Sequence, residues 1–231
     1  MAKVKSIMKR YWTAWLLTVC CILLCFIPHA AQAALTMTTA IDTIDAWAAI
    51  TAGTMRVGTP DQISDSYATI VYIEVADIEA VAQEGVTVIV EVSYADDLWM
   101  KLVEFKGTAQ TGGADDLDEG GGATAGDATI TLTDATTDDF DIVGRKWLIW
   151  DTGAVANSES VRTVSVAGNV VTLAQDLLNN HDDAEPVYDL VDEWVISIPF
   201  GVAWVRVLVN NTDADCDVAS TTRISKVTAL Q

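Results

Sequence analysis

The sequence predicts an all-β protein: a β-sandwich with a small inserted β-barrel-like domain, preceded by an N-terminal hydrophobic signal helix. Short runs rich in β-branched and aromatic residues recur along the chain, separated by turn residues. Several of these runs alternate apolar and polar residues with the period of two that a half-buried strand requires. A single apolar run near the N-terminus follows basic residues and precedes a small-residue cleavage pattern.

The first 33 residues are typical of an export signal. Lys3, Lys5, Lys9 and Arg10 precede an apolar run at 12–27, and Ala31-Gln32-Ala33 fits a signal-peptidase site. The run is shorter than the roughly 20 apolar residues of a membrane span. Residues 1–33 are therefore predicted to be a cleaved signal peptide, and retention as a membrane anchor is the alternative. The chain is expected to be secreted, extracellular or at the cell surface, and to contact a membrane only through an uncleaved signal segment.

Residues 34–107 and 190–231 are predicted to form the β-sandwich. In "VTVIVEV" (86–92) the valines occupy every second position, and in "EWVISIPF" (193–200) Trp194, Ile196 and Ile198 share one face. The run "AWVRVLVNN" (203–211) alternates in the same way. Helical spacing is possible only in two short segments, "DTIDAWAAITAG" (42–53) and "ADIEAVAQEG" (76–85).

Residues 108–125 are rich in Gly, Asp, Ala and Thr and contain little to bury, so they are predicted to be a linker. Residues 126–189 then form a compact block of short strands, which we interpret as the inserted small β-domain. Within it, Gly168-Asn169 lies between two alternating runs, which indicates a β-hairpin.

The charge of the chain restricts its partners. The full sequence has 33 acidic and 13 basic residues and a net charge of −20. Loss of the four basic residues of the signal leaves nine basic residues and a net charge of −24. Nucleic acid and anionic membrane surfaces both require positive charge, so neither is an expected partner. Beyond the signal only Cys216 remains, so an internal disulfide is excluded.

The residues that carry catalysis are scarce, and we expect no enzyme. His181 is the one histidine beyond the signal, and zinc sites usually combine several His or Cys ligands. The serines near it lack the G-x-S-x-G elbow of a hydrolase nucleophile. The stretch "LLNNHDDAEPVYD" (177–189) is therefore interpreted as a turn that contains His181.

Calcium is the one cofactor that the sequence leaves possible, since it accepts six to eight oxygen ligands in loose geometry. Candidate ligands lie in two acidic runs: Asp138, Asp139 and Asp141 in the first, and Asp182, Asp183 and Glu185 in the second. Neither run matches the EF-hand loop. The alternative for both is a solvated acidic surface.

Tryptophans allow a second function, because an exposed ring can stack on a sugar. Trp147, Trp194 and Trp204 lie inside alternating strands and are expected in the core. Trp99 and Trp150 lie near strand ends and are the candidates for exposure. A secreted carbohydrate-binding module therefore stays an alternative.

The block "ATITLTDATTDDFDIVGRKWLIWDTGAVANSESVRTVSVAGNVVTLAQDLLNNHDDAEPVYD" resembles a small β-module of phage structural proteins. The shared features are a "VG" turn, an "SE.V" strand, a "V.GN.VTL" hairpin and an "H…PV" end. The flanking "WVISIPFGVAWVRVLVNNT" and "RISKVTAL" look like closing strands of phage or virus-like-particle proteins. The resemblance implies a non-enzymatic building block, with His181 and Pro186 in the last turn of the module.

These observations predict an exported structural protein that assembles with copies of itself into an extracellular filament or a cell-surface layer. A phage or virus-like virion protein is the alternative, although virion proteins usually lack an export signal. The apolar, Thr-rich segment after the cleavage site is the candidate assembly strand, which would complete the sheet of a neighbouring copy. Its residues for that contact are Ala34, Leu35, Met37, Ile41, Ile44 and Trp47.

Overall fold

The computed structural model describes residues 37–229 except 80–81, 84, 96, 108–109, 112, 137–139 and 189–190. The predicted signal helix and Ala34 and Leu35 of the candidate assembly strand lie outside these residues. Thr39–Thr228 form one compact unit. The other unit, Met1–Thr38 with Ala229–Gln231, is described only at Met37, Thr38 and Ala229.

The described chain consists of strands and turns, and the predicted all-β class is confirmed. In chain order the strands are β1 (Met37–Ile50), β2 (Met55–Val57), β3 (Asp61–Gln62), β4 (Ala68–Asp77), β5 (Ala82–Gln83), β6 (Val86–Ser93), β7 (Met100–Lys106), β8 (Gln110–Thr111), β9 (Ala114–Asp116), β10 (Thr129–Thr131), β11 (Lys146–Ile149), β12 (Glu159–Ala167), β13 (Val170–Leu173), β14 (Pro186–Tyr188), β15 (Val191–Ile198), β16 (Trp204–Asn211) and β17 (Val218–Ala229). One 3-10 turn spans Val155–Asn157. Over the part of the chain that the structure describes, no helix has the length and apolar character that a membrane crossing needs.

Two sheets enclose the first hydrophobic core. One sheet has the order β1-β17-β4-β15, and the other has the order β2-β16-β6-β7 with β3 also paired to β16. The alternation predicted from the sequence is confirmed in β6, β15 and β16, because the inward residues of all three strands are buried together. These residues are Val86, Val88, Val90, Val92, Ile196, Ile198, Val205, Val207 and Val209, with Trp194 packed against them.

A six-stranded sheet builds the second core, with the order β10-β13-β12-β11-β14-β9. Its two outer strands meet through an antiparallel bridge between Leu117 and Leu132, so the sheet curls round its own core. The predicted hairpin is present: Ala167 pairs with Val170, and Gly168 has a positive φ of 63°. A large aromatic pair fills this core, since Phe140 contacts the buried Trp147 edge to face at 5.5 Å.

The linker predicted at 108–125 is not a mobile connection over its whole length. Ala114–Asp116 form β9 and pair with β14, and Leu117 and Ala123 belong to the second core. The many glycines and aspartates do not indicate this role, because only two apolar side chains among the described residues of the segment, Leu117 and Ala123, are buried. That residues 126–189 form a separate inserted domain remains a prediction.

The helix-compatible segment at 42–53 is strand as far as Ile50 and then enters a turn. Its apolar residues separate by face: Ile44 and Ile50 contact the first core, whereas Trp47 contacts a third core. Tertiary packing therefore determines the structure of this segment, since the local spacing allows both forms.

The third core joins the outer face of the four-stranded sheet to the curled sheet. It contains Trp47, Ala76 and Ala219 from the first sheet and Leu148 and Trp150 from the β11 region. Strand β4 belongs to the four-stranded sheet and β11 to the curled sheet, so polar side chains of both strands meet at the boundary between these two sheets. We call this boundary the seam.

Candidate functional site

His181 lies outside the named strands, where its backbone forms an isolated β-bridge with Ala123 of the second core through two hydrogen bonds of 2.8 Å. Its imidazole side chain is fully buried. Nδ1 lies 2.8 Å from Glu185 Oε2, and Nε2 lies 2.9 Å from Glu159 Oε1. The ring thus connects the turn that follows it to the start of β12.

Glu159 is itself held in place by the main chain. Its carboxylate accepts hydrogen bonds from the N–H of Leu178 at 3.0 Å and from the N–H of Asn179 at 3.0 Å. These main-chain donors satisfy oxygen atoms that would otherwise be buried without a hydrogen-bond partner. Glu159, His181 and Glu185 therefore form a closed polar cluster, which we call the histidine cluster.

Electrostatics favour the protonated ring in this cluster. Burial lowers the pKa of His181, but the hydrogen bonds and charges of Glu159 and Glu185 outweigh burial and raise the pKa above its ordinary value. In the protonated form the ring donates to both carboxylates. Because both ring nitrogens are occupied and the side chain is closed to solvent, this histidine has no free nitrogen with which to take a proton from a substrate. A turn follows His181 at residues 183–184, whereas His181 itself lies in a β-bridge, so the predicted turn is present but does not contain the histidine.

A second polar site lies at the boundary of the sheets, around the buried carboxylate of Glu74 on β4. Lys146 of β11 pairs with Glu74, Arg223 Nη2 of β17 lies 2.9 Å from Glu74 Oε1, and Ser160 Oγ donates to Glu74 Oε2 at 2.9 Å. Lys146 also lies 2.8 Å from Glu193 on β15. We call these residues, with Arg162, the seam cluster.

Burial and ion pairing have opposite effects on the pKa values of the seam cluster. Burial lowers the pKa of Lys146 and exceeds the opposing effect of Glu193. The hydrogen bond and charge of Lys146 lower the pKa of Glu193. Breaking one partner of such a buried pair leaves an uncompensated charge, which is far more costly than an exposed ion pair is stabilising.

Two clefts open at this boundary. One, of about 200 Å³, is lined by Lys146, Ser160, Val161, Arg162, Ala174, Gln175, Glu193 and Arg223. The other, of about 170 Å³, shares Ser160, Gln175 and Arg223 with it and also contains Thr43, Ala46 and Trp47 of β1. The seam cluster is therefore open to solvent, and the smaller cleft also reaches Glu159 of the histidine cluster.

The sequence did not single out Glu74, Glu159, Lys146, Arg162 or Arg223. Glu74 carried a usable signal, since a glutamate in the apolar run "TIVYIEVA" is an unusual residue to bury and requires a partner. The partners themselves come from strands 72 and 149 residues away along the chain. Nothing in the local sequence identifies such distant pairs.

The structure does not gather the candidate calcium ligands. Asp138 and Asp139 lie outside the described residues, and Asp141, Asp182 and Asp183 are exposed. Glu185 is buried and bonds His181 instead. No group of three or more His, Cys, Asp or Glu side chains within the described ranges is arranged to hold a metal ion. Calcium binding stays a prediction.

The candidate assembly residues divide between the core and the surface. Met37 begins β1, Ile41 is exposed, Ile44 packs against the first core, and Trp47 lies in the third core. The candidate strand thus belongs to the chain's own sheet in this structure. Its outer position in that sheet still leaves one edge of the strand facing away from β17.

The tryptophan rings offer little surface for a sugar. Trp150 is only 7 % exposed, so its predicted exposure is wrong, because the third core covers it. Trp99 is half-buried, and the guanidinium of Arg206 lies 4.2 Å from its ring centroid. Trp147 is buried as expected, whereas Trp194 and Trp204 are half-buried.

Comparison with known proteins gives no family for this chain: no family model and no curated protein matches it. Among solved structures, a structure described as "Bacillus endospore appendages form a novel family of disulfide-linked pili" is 11 % identical, with 84 % of this chain and 91 % of that chain covered and a TM-score of 0.21. An infectious bursal disease virus structure is 8 % identical over 84 % of this chain and 43 % of that chain, with a TM-score of 0.25. The major capsid protein complex of bacteriophage P23-77 is 7 % identical over 83 % of this chain and 99 % of that chain, with a TM-score of 0.19.

These three structures come from a pilus, a virus and a bacteriophage capsid, and none has a TM-score above 0.25. Their TM-scores are too low to carry an argument about this chain's function.

Proposed function

We propose that this chain is an exported, non-enzymatic structural subunit that assembles with copies of itself into an extracellular filament or a cell-surface layer. The observation that carries the proposal is β1, a strand of 14 residues at the outer edge of the four-stranded sheet. An outer strand presents a row of backbone N–H and C=O groups that a strand of another chain can pair with.

The two halves of β1 differ in what covers them. Near its C-terminal end, Arg56 Nη2 of β2 donates to the Ala46 carbonyl at 3.0 Å, and Thr59 N donates to Asp45 Oδ1 at 3.1 Å. Toward its N-terminal end, Ile41 is 66 % exposed. The N-terminal half of β1 is therefore the part that we expect to pair with a second copy.

The charge of the subunit opposes this contact. A net charge of −24 on each copy without its signal makes copies repel one another, so dissolved salt or bound calcium should favour assembly.

The test compares Ile41→Lys with Val195→Lys on β15, the other outer strand of the same sheet, where the side chain is 55 % exposed. Each substitution makes the chain less negative by one charge, which by itself reduces repulsion between copies. Ile41→Lys should nevertheless abolish assembly, whereas Val195→Lys should assemble like the wild type. The measurement is sedimentation velocity on both variants, with circular dichroism to establish that each is folded. Normal assembly of Ile41→Lys would refute a contact at β1.

A further inference from the structure

The few basic residues of this chain are unevenly distributed. Nine lie beyond the predicted signal, and three of these nine line the 200 Å³ cleft at the seam: Lys146, Arg162 and Arg223. One carboxylate, that of Glu193, lines the same cleft. The walls of the cleft are thus cationic on a subunit whose net charge is strongly negative.

Two of these cations are held in position by ion pairs with a buried carboxylate. Lys146 and Arg223 both pair with Glu74, which lines the neighbouring cleft and is 2 % exposed at its side chain. Their positions are therefore set by the fold and not by a ligand, which lowers the conformational cost of binding one.

Arg162 is the more available cation. Its side chain is 48 % exposed, its Nη1 donates to the Gly144 carbonyl at 2.7 Å, and its Nη2 lies 3.6 Å from Glu193 Oε2. A separation of 3.6 Å is longer than a charge-assisted hydrogen bond, so the pair with Glu193 leaves the guanidinium able to bind a further carboxylate.

The cleft also lies next to the proposed assembly edge. It shares Ser160, Gln175 and Arg223 with the second cleft, whose other walls include Thr43 and Ala46 of β1 and the carboxylates of Glu74 and Glu159. A second copy paired along the N-terminal half of β1 would therefore reach the cationic walls.

We propose that the cationic cleft at the seam binds carboxylate side chains of a second copy. This inference rests on the proposed function and names the charged contact within it. Since every copy carries 33 acidic residues, its surface supplies carboxylates, and a cationic cleft beside the edge converts part of the repulsion between copies into local attraction. An inorganic oxyanion such as phosphate would bind the same cations, so the test distinguishes a free anion from the carboxylates of a second copy.

The test uses Arg162→Glu and a matched control, Lys101→Glu, on β7. Lys101 is similarly exposed, at 57 %, and pairs with Glu104 at 2.7 Å. Both substitutions add two negative charges, so general repulsion between copies rises equally. Arg162→Glu should raise the concentration needed for half-maximal assembly about tenfold more than Lys101→Glu does. Thermal melts of both variants, and of the milder Arg162→Gln, establish that the subunit stays folded.

A second arm replaces part of the sodium chloride with sodium phosphate at equal ionic strength. If the cleft binds carboxylates of a second copy, phosphate should compete and weaken wild-type assembly while changing Arg162→Glu little. Equal effects of the two substitutions would overturn the inference, and so would a thermal stabilisation by phosphate without any loss of assembly, which is the behaviour of a free-ion site. A wild type that never assembles would instead overturn the proposed function.

Discussion

At the scale of a single residue, His181 belongs to a buried polar cluster that the sequence around it only partly indicates. Glu185 lies four residues from it, so that contact is within reach of the sequence. Glu159 lies 22 residues away on another strand, and only the fold brings it to the other ring nitrogen. The sequence predicts the turn but not the paired carboxylates.

The histidine cluster makes stability depend on pH. Because the folded-state pKa of His181 is raised above the ordinary value of 6.5, its contribution is fully present below pH 6.5 and is lost as the pH rises through the folded-state pKa. His181→Gln should lower the free energy of unfolding by about 3 kcal/mol at pH 6, since two buried carboxylates lose their cation. The deficit should shrink as the pH increases. Chemical denaturation of wild type and variant from acidic to alkaline pH measures it.

Glu185→Gln serves as the matched control for this prediction. It keeps an oxygen acceptor beside Nδ1 but removes one of the two charges that raise the pKa of His181. The loss of stability should then begin at a lower pH than in the wild type. A deficit of His181→Gln that stays constant with pH would show that the ring is not charged in the folded state.

Gly122 is the second residue whose identity the fold requires. Its φ is +77°, and a Cβ built on it would lie within contact distance of the His181 carbonyl. Gly122→Ala should therefore destabilise the protein by about 2 kcal/mol, from the left-handed backbone and the clash together. Gly121→Ala is the control, because a Cβ there meets nothing within 4 Å, and its effect should stay within about 0.5 kcal/mol. Equal melting temperatures for the two variants would contradict this assignment.

At the scale of elements, strands that alternate strictly were predictable, and strands that depend on distant partners were not. Val86 to Val92 and Val205 to Val209 place a buried valine at every second position and form central strands. Strand β1 has helix-compatible spacing, and β9 lies in a segment of glycine and aspartate, so neither has a clear local pattern. Both are set by pairing with strands far along the chain.

Because β1 belongs to the chain's own sheet, its deletion should affect folding as well as assembly. If the candidate strand only completed a neighbour's sheet, deletion of residues 34–53 would leave folded monomers. In the structure this segment supplies Trp47 and Ile50 to two cores, and the Asp45 carbonyl accepts a hydrogen bond from Thr221. Deletion of residues 1–50 should therefore prevent folding, because an apolar core that loses a large aromatic side chain loses several kcal/mol.

Deletion of residues 1–38 is the control, since the compact unit begins at Thr39. Far-UV circular dichroism and resistance to protease should show a folded protein for the shorter deletion and an unfolded one for the longer. Cooperative unfolding of the chain without residues 1–50 would mean that β1 is dispensable for the fold.

At the scale of the whole molecule, the net charge and the long outer strand have opposite effects on the association of copies. The protein combines a long outer strand, which would favour pairing with another copy, with a net charge that opposes such pairing. Composition alone predicts the repulsion. The cationic seam, where Lys146, Arg162 and Arg223 converge, depends on strands β11, β12 and β17 meeting in space and was not predictable from the sequence.

The molar mass of the chain without residues 1–33 as a function of salt concentration tests the central claim most directly. Static light scattering from about 10 mM to about 500 mM sodium chloride covers weak to strong screening, since the Debye length falls from about 30 Å to a few ångströms. Self-assembly predicts a mass near one subunit at low salt that grows to many subunits as salt is added. A mass of one subunit at every salt concentration would contradict it.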